Sequence, residues 1–170
     1  MANTFEAIAT VTVESGGAAN IDFTSIPATY TDLFLYISAR SERAQTQDGM
    51  NIKFNSSTAS FTGIYLAAIG SAGPQSGTLT TGAGSIPAAN ATASTFSNHS
   101  IYIPNYASSN NNKSYSIDSA RENNSSTVFQ LDLIAGLWSN TAAITSIGFF
   151  NDNANFAQYS TATLYGIKNS

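Results

Sequence analysis

The chain has 170 residues, of which only 16 are Asp, Glu, Lys or Arg, with one histidine and no cysteine. Its charged fraction of 9% compares with roughly 25% in ordinary soluble domains, and Ser, Thr and Asn together supply 60 residues. Because most catalytic mechanisms need a titratable group tuned by another, this composition argues against an enzyme. Uncharged polar groups are also cheaper to desolvate than ions, which favours a structural or binding protein.

The charge balance disfavours several classes of partner. The net charge is −4 and the six basic residues are scattered, whereas phosphate binding needs clustered Lys and Arg. No apolar run approaches the roughly 18 residues of a membrane span, and the N-terminus lacks the basic and apolar regions of a signal peptide. We therefore expect no nucleic-acid partner, no membrane insertion, no cofactor and no metal, in a protein made in a cytosol.

Apolar residues recur mostly every second position, which is typical of β-strands. The strongest segment, Leu33–Ala39, is apolar on both faces, which predicts a central strand. Only the region around Leu133–Asn140 has the pattern of a helical turn, and Asp48-Gly49 is read as a turn. The predicted strands are Phe5–Val13, Ala19–Thr24, Leu33–Ala39, Asn51–Asn55, Gly63–Gly70, His99–Ile103, Tyr115–Ala120, Thr127–Ile134, Ala143–Phe150 and Thr161–Ile167.

These roughly ten strands predict an all-β fold, an antiparallel β-sandwich of jelly-roll type. A chain of this length fits a single domain, residues 1–170, that needs no disulfide. Within it, Ser71–Thr95 is rich in Gly, Ser, Thr and Ala and has no charged residue. We interpret it as a loop excursion that orders against a neighbouring subunit or against the larger assembly to which the protein attaches, because such long loops are usually functional.

The alternation also predicts which side chains form the core. These are the large apolar residues at alternate positions of the predicted strands, and burial of Leu35 in particular implies a loss of roughly 2–5 kcal/mol on substitution by Ala. The predicted core residues are Phe23, Leu33, Leu35, Ile37, Phe54, Ile101, Phe129, Leu131, Leu133, Ile147, Phe149 and Leu164.

Few residues are candidates for chemistry, and no catalytic, cofactor-binding or metal-binding residue is assigned. His99 is interpreted as a surface or interface residue rather than a catalytic base. The segments that begin at Asp48 and Asp152 carry oxygen ligands suited to Ca²⁺, but their Asp and Asn residues are better explained as turn formers. Loop aromatics can stack on sugars or anchor a protein interface; they are Tyr30, Tyr106, Phe156 and Tyr159.

Three segments resemble small structural proteins of tailed bacteriophages, notably those of marine and cyanobacterial hosts. They are Ser25–Arg40 (SIPATYTDLFLYISAR), Met50–Asn55 (MNIKFN) and Ala162–Lys168 (ATLYGIK), about a third of the chain. The resemblance implies a virion protein, either a capsid decoration protein or a tail or fibre module. It supplies no catalytic residue.

The leading hypothesis is a capsid decoration (cement) protein on the virion surface, made in the host bacterial cytoplasm. It binds the major capsid protein as a homo-oligomer, with a homotrimer as the expected form. The main alternative is a tail or fibre module that binds a host surface glycan. A third hypothesis is a polysaccharide hydrolase of the virion, which needs a carboxylate pair about 5–10 Å apart.

Overall fold

The computed structural model describes residues 4–124 and 129–168. The described chain consists of twelve strands and one short 3₁₀ helix, Gly70–Ala72. No helix of the described ranges is long and apolar enough to cross a membrane. The strands are β1 (Phe5–Thr12), β2 (Asn20–Phe23), β3 (Asp32–Ser38), β4 (Gln47–Phe54), β5 (Phe61–Ile69), β6 (Pro74–Leu79), β7 (Gly82–Pro87), β8 (Asn98–Ile103), β9 (Lys113–Arg121), β10 (Gln130–Trp138), β11 (Ile147–Asn151) and β12 (Thr161–Ile167).

The strands form two antiparallel sheets packed against each other. The larger sheet has the order β1-β12-β3-β8-β9-β10-β5-β6, and the smaller has the order β2-β11-β4-β7. The predicted all-β, two-sheet antiparallel fold is confirmed. Its jelly-roll type stays a prediction.

The larger sheet is wider because two hairpins are added to it. The chain alternates between the sheets along β1, β2, β3 and β4, and again along β7, β8, β11 and β12. The pair β5–β6 lies between β4 and β7 in the chain, and the pair β9–β10 lies between β8 and β11. Because β5 pairs with β10 over nine residue rows, the two hairpins join into one four-stranded extension.

Three local expectations were wrong. Residues 71–95 are not a featureless loop, because they contain β6 and β7. The small residues there permit close contact: a Cβ on Gly77 would lie 2.9 Å from Tyr65 Cε1. Asp48 and Gly49 lie inside β4, and residues 133–138, expected to turn helically, belong to β10. Of the predicted strand Thr127–Ile134, residues 127 and 128 lie outside the described residues.

The core lies between the sheets and holds nine of the twelve predicted core residues. At its centre, the rings of Phe54, Phe61, Tyr115 and Trp138 pack within 5.3–6.3 Å of one another. The nine confirmed residues are Phe23, Leu33, Leu35, Ile37, Phe54, Ile101, Ile147, Phe149 and Leu164.

The predicted core positions on β10 were wrong. Leu131 and Leu133 are 59% and 53% exposed, and Phe129, just before the strand, is half-buried. The inward positions of β10 are instead taken by residues that include Ile134 and Trp138. A period of two fixes which residues share a face but not which face is buried, and a shift of one residue exchanges the two.

Candidate interaction surface

The outer face of the larger sheet, turned away from the smaller sheet, carries most of the exposed large apolar side chains. Of the eight such side chains in the described chain, only Tyr159 lies in a loop away from this face. The seven others occupy outward positions of β1, β3, β5, β8 and β10. They are Phe5, Tyr36, Ile64, Leu66, Tyr102, Leu131 and Leu133.

One group, which we call the aliphatic patch, consists of Ile64, Leu66, Leu131 and Leu133. These side chains are 53–62% exposed, and Leu66 lies directly opposite Leu133 in the β5–β10 register. Four half-exposed side chains at roughly 100 Å² each leave about 400 Å² of aliphatic surface in water. Patches of this size are the largest that ordinary monomers expose, and they are often functional.

The aliphatic patch is shaped as a ridge between two hollows. Leu66 and Leu133 line both hollows, which have volumes of about 440 and 590 Å³. The smaller hollow extends toward Leu131 and Pro74, and the larger one extends toward Ala135. The large apolar residues therefore form an uneven surface, with hollows into which a partner side chain can fit.

A second group, which we call the aromatic patch, lies toward the opposite edge of the same face. It consists of Phe5, Phe34, Tyr36 and Tyr165, whose neighbouring ring centroids are 4.8–6.1 Å apart. Phe5 and Tyr36 are about half-exposed. Edge-to-face and tilted ring pairs at these distances stabilise one another, so the patch is a preorganised aromatic surface.

A polar stripe on β8 and β9 separates the patches, and it is nearly uncharged. No outward position in the described strands of the larger sheet holds a Lys or Arg, and the carboxylates on this face are Asp32 and Asp118. Asp32 accepts hydrogen bonds from the Tyr102 hydroxyl and the Asn105 amide, both at 2.9 Å. A partner can therefore cover this face without desolvating many ions.

His99 is not a surface residue, and its expected position was wrong. The imidazole is fully buried on the inner face of β8, with Nδ1 3.1 Å from the Ala83 carbonyl oxygen and Nε2 2.9 Å from Ser97 Oγ. Desolvation lowers its pKa from 6.5 to about 4. No carboxylate is among these partners, so the ring lacks the orienting acid of a catalytic triad.

The two candidate Ca²⁺ segments, distant in sequence, meet in the structure. Asp48 accepts hydrogen bonds from Ser41 Oγ at 2.8 Å, Asn153 Nδ2 at 2.9 Å and the Gly49 amide at 3.1 Å, and its carboxylate lies 3.4 Å from the Arg43 guanidinium. These donors satisfy the lone pairs that a metal would need. The described ranges contain no cluster of three or more His, Cys, Asp or Glu side chains suited to a metal.

The loop aromatics do not assemble into a binding site. Tyr106 and Phe156 are fully buried, and the Tyr106 hydroxyl donates to the Pro27 carbonyl. Tyr159 is 68% exposed and Tyr30 is half-buried. The exposed aromatic rings lie mainly on the outer face of the larger sheet, where Phe5, Tyr36 and Tyr102 occupy outward strand positions.

The inner face of β9 and β10 also carries a buried polar network that the sequence pattern did not predict. Ser119 Oγ donates to Asp132 Oδ2 at 3.0 Å, and Gln130 Nε2 donates to Asp132 Oδ1 at 2.7 Å. Arg121 Nη2 donates to Gln130 Oε1 at 3.2 Å, and burial lowers the pKa of Arg121 while Asp132 opposes that effect. Because every link is internal to the sheet, the network fixes which face of β10 turns inward.

Comparison with known proteins adds no assignment to this geometry. No protein-family model matches the chain, and no curated protein matches it.

Proposed function

We propose that this chain is a structural protein of a bacteriophage virion, a capsid decoration protein that attaches to the major capsid shell. The observation that carries the proposal is the outer face of the larger sheet, where two apolar patches flank a nearly uncharged stripe. Protein interfaces are depleted in charge at their centres and enriched in aromatic residues. The resemblance of Ser25–Arg40 to phage structural proteins supports a virion as the assembly to which the protein belongs.

The proposed mechanism is stabilisation by mass action. A protein that binds only the assembled shell lowers the free energy of that shell by its binding free energy. The protein binds as a homo-oligomer in many symmetry-related copies. Their modest individual contacts therefore add up to a large stabilisation of the shell. The low charge of the outer face keeps the desolvation cost of each contact small.

We also infer a jelly-roll origin for the fold, supported by the strand order. Without the two inserted hairpins, the sheets read β1-β12-β3-β8 and β2-β11-β4-β7. Renumbered from one to eight, these orders are 1-8-3-6 and 2-7-4-5. Successive strands alternate between the sheets except strands 4 and 5, which are neighbours in the second sheet. This arrangement is what two interlocked Greek keys in a double sheet produce, and virion proteins use that architecture widely.

The alternative is a tail or fibre module that binds a host surface glycan, and the aromatic patch favours it. Phe5 and Tyr36 expose about half of their surface, and the Thr10 and Thr163 hydroxyls lie nearby on the paired strands β1 and β12, 3.0 Å from each other. Apolar rings beside hydroxyls suit the apolar and polar faces of a sugar. Protein binding remains the leading proposal because the aliphatic patch has no such use for a glycan.

Electron microscopy of the particle that carries this protein tests the proposal directly. Density on the shell supports decoration, and density at the tail supports the glycan-binding alternative. A binding assay with shells that lack the protein gives the residue-level test: Phe5→Ser and Tyr36→Ser, in the aromatic patch, should each weaken attachment. Tyr159→Ser is the matched control, since it removes an equally exposed apolar residue that lies away from the outer face. Unchanged attachment for both outer-face variants would rule out this surface.

A further inference from the structure

The relief of the aliphatic patch is self-complementary. The ridge formed by Leu66 and Leu133 lies beside the larger hollow, which is lined by the small residues Ser116 and Ala135 and by the larger, exposed Ile64. A two-fold axis brings the same surface of two copies together. When the axis passes between the row of Leu133 and the row of Ala135, Leu133 of each copy faces Ala135 of the other, and Leu66 faces Ile64.

We propose that a second copy of this chain covers the aliphatic patch, with each Leu66–Leu133 ridge seated in the larger hollow of its partner. The inference rests on the proposed function only in that both place a protein on the outer face. The smaller hollow is excluded as the seat because Asp118, which is on the outer face, contributes to its lining. A leucine inserted there would desolvate a carboxylate.

The register of β9 keeps like charges apart in this arrangement. Asp118 lies opposite Leu133, and Ser116 lies opposite Ala135. When the ridge row meets the partner's Ala135 row, Asp118 therefore faces a serine rather than another Asp118. The two Asp118 residues are offset by about 7 Å along the strand direction, and the facing sheets are ~10 Å apart. The two side chains are therefore about 12 Å apart, beyond the ~8 Å screening length at physiological salt.

The charge of the face also favours a second copy over a charged partner. The described outward strand positions of the larger sheet hold no Lys or Arg, and Asp32 is already hydrogen-bonded. A strongly basic partner therefore finds little to pair with beyond Asp118, and a strongly acidic one finds no cation. A neutral surface of alternating Leu, Ile, Ala and Ser meets its own equivalent without electrostatic cost.

The area available is enough for a specific but weak contact. The extension of β9, β10, β5 and β6 is four strands wide, and three of these strands have nine residues. Because β6 has six residues, ~4.8 Å per strand and ~3.3 Å per residue give about 520 Å² per copy and about 1,050 Å² in total. Specific interfaces begin near 1,000 Å², so the dimer should form in a concentration-dependent way.

Sedimentation velocity of the full chain over micromolar to millimolar concentrations tests the contact. We expect a monomer–dimer equilibrium, and each of Leu66→Ser and Leu133→Ser should raise its dissociation constant roughly tenfold. Tyr159→Ser is the control and should leave the dissociation constant unchanged. A chain that stays monomeric throughout, or that forms a three-fold assembly, overturns the proposal.

Cross-linking then locates the contact, because the chain has no cysteine and an introduced thiol is unique. Ser116→Cys, on the outer face, should be captured as a covalent dimer by a bismaleimide that spans about 12 Å, a distance set by the sheet spacing. Thr58→Cys, exposed in the loop after β4, should remain monomeric. Equal capture through Thr58 overturns the proposed surface.

The two proposals fail separately. If the wild-type chain is monomeric but Tyr36→Ser loses shell attachment, the second-copy inference is wrong and the decoration proposal stands. If the dimer forms and the particle carries the protein at its tail, the second-copy inference stands and the decoration proposal is wrong.

Discussion

The buried His99 predicts a specific dependence of stability on pH. It is the only histidine of the chain, and its Nδ1 lies 3.1 Å from the Ala83 carbonyl oxygen, which can only accept. Nδ1 therefore carries the proton in the neutral ring, and Nε2 accepts from the Ser97 hydroxyl at 2.9 Å. The Ser97 hydroxyl also lies 3.0 Å from the Ala39 carbonyl oxygen. That oxygen still accepts from the Ser97 amide at 2.9 Å when the hydroxyl proton turns to Nε2.

The sign of the effect follows from the lowered pKa. In the unfolded chain His99 takes up a proton near pH 6.5, whereas desolvation in the fold lowers its pKa to about 4. Between these values the unfolded state binds more protons, so the free energy of unfolding falls as the pH falls. The contribution is fully present above pH 6.5 and is lost by about pH 4. The whole difference is worth ~3 kcal/mol, of which about 2 kcal/mol is lost between pH 7 and pH 5.

Urea unfolding at pH 7 and pH 5 of the wild type and of His99→Asn measures this term. The asparagine amide can still donate toward Ala83 but does not titrate, and the carboxylates common to both proteins cancel in the comparison. The wild type should lose about 2 kcal/mol more than His99→Asn over this interval. The reasoning is refuted if both proteins have the same pH dependence. An NMR titration in which the single imidazole takes up its proton near pH 6.5 refutes it equally.

Three further outcomes are expected. Leu35→Ala should lower the free energy of unfolding by roughly 2–5 kcal/mol in chemical denaturation, since Leu35 is fully buried. Leu131→Ala, on the exposed face, should change it by less than about 0.5 kcal/mol. Equal losses would mean that the face of β10 is misassigned. Gly136→Ala should cost at least ~1–3 kcal/mol, because its Cβ would lie 2.1 Å from Tyr115 Cζ; an unchanged urea midpoint contradicts this packing. Addition of EDTA should leave the thermal midpoint unchanged, because the donors around Asp48 already satisfy its carboxylate; a fall in the midpoint would reveal a bound cation.

The sequence pattern was sufficient for the fold class because period-two alternation is a local signal. Leu33, Leu35 and Ile37 lie on one face of β3, and the prediction that this strand is central is consistent with its place between β12 and β8. The same signal failed for β6 and β7. Strands of Gly, Ser and Thr have little alternation to read, and their pairing is decided by contacts distant in sequence, such as that of Gly77 with the Tyr65 ring.

The surroundings of the candidate residues for chemistry could not be predicted, for a related reason. His99 lies in a strand of polar and apolar residues that reads as half-exposed, yet both ring nitrogens find partners inside the fold. Asp48 and Asp152 are about a hundred residues apart and meet only because β4 pairs with β11. Local spacing cannot reveal such contacts, since they depend on which strands become neighbours.

The strand β10 shows how a wrong prediction can carry functional information. Its two alternating sets place Leu131, Leu133 and Leu137 on one face and Gln130, Asp132, Ile134, Gly136 and Trp138 on the other. Hydrophobicity alone favours burial of the leucine set, but Trp138 fits the aromatic centre of the core and Asp132 finds partners inside it. The leucines are consequently left in water, at a cost that the isolated chain does not recover. Natural sequences tolerate such a conflict between local pattern and fold chiefly at functional sites. The exposed leucines of β10 are therefore where a partner of this protein should be sought first.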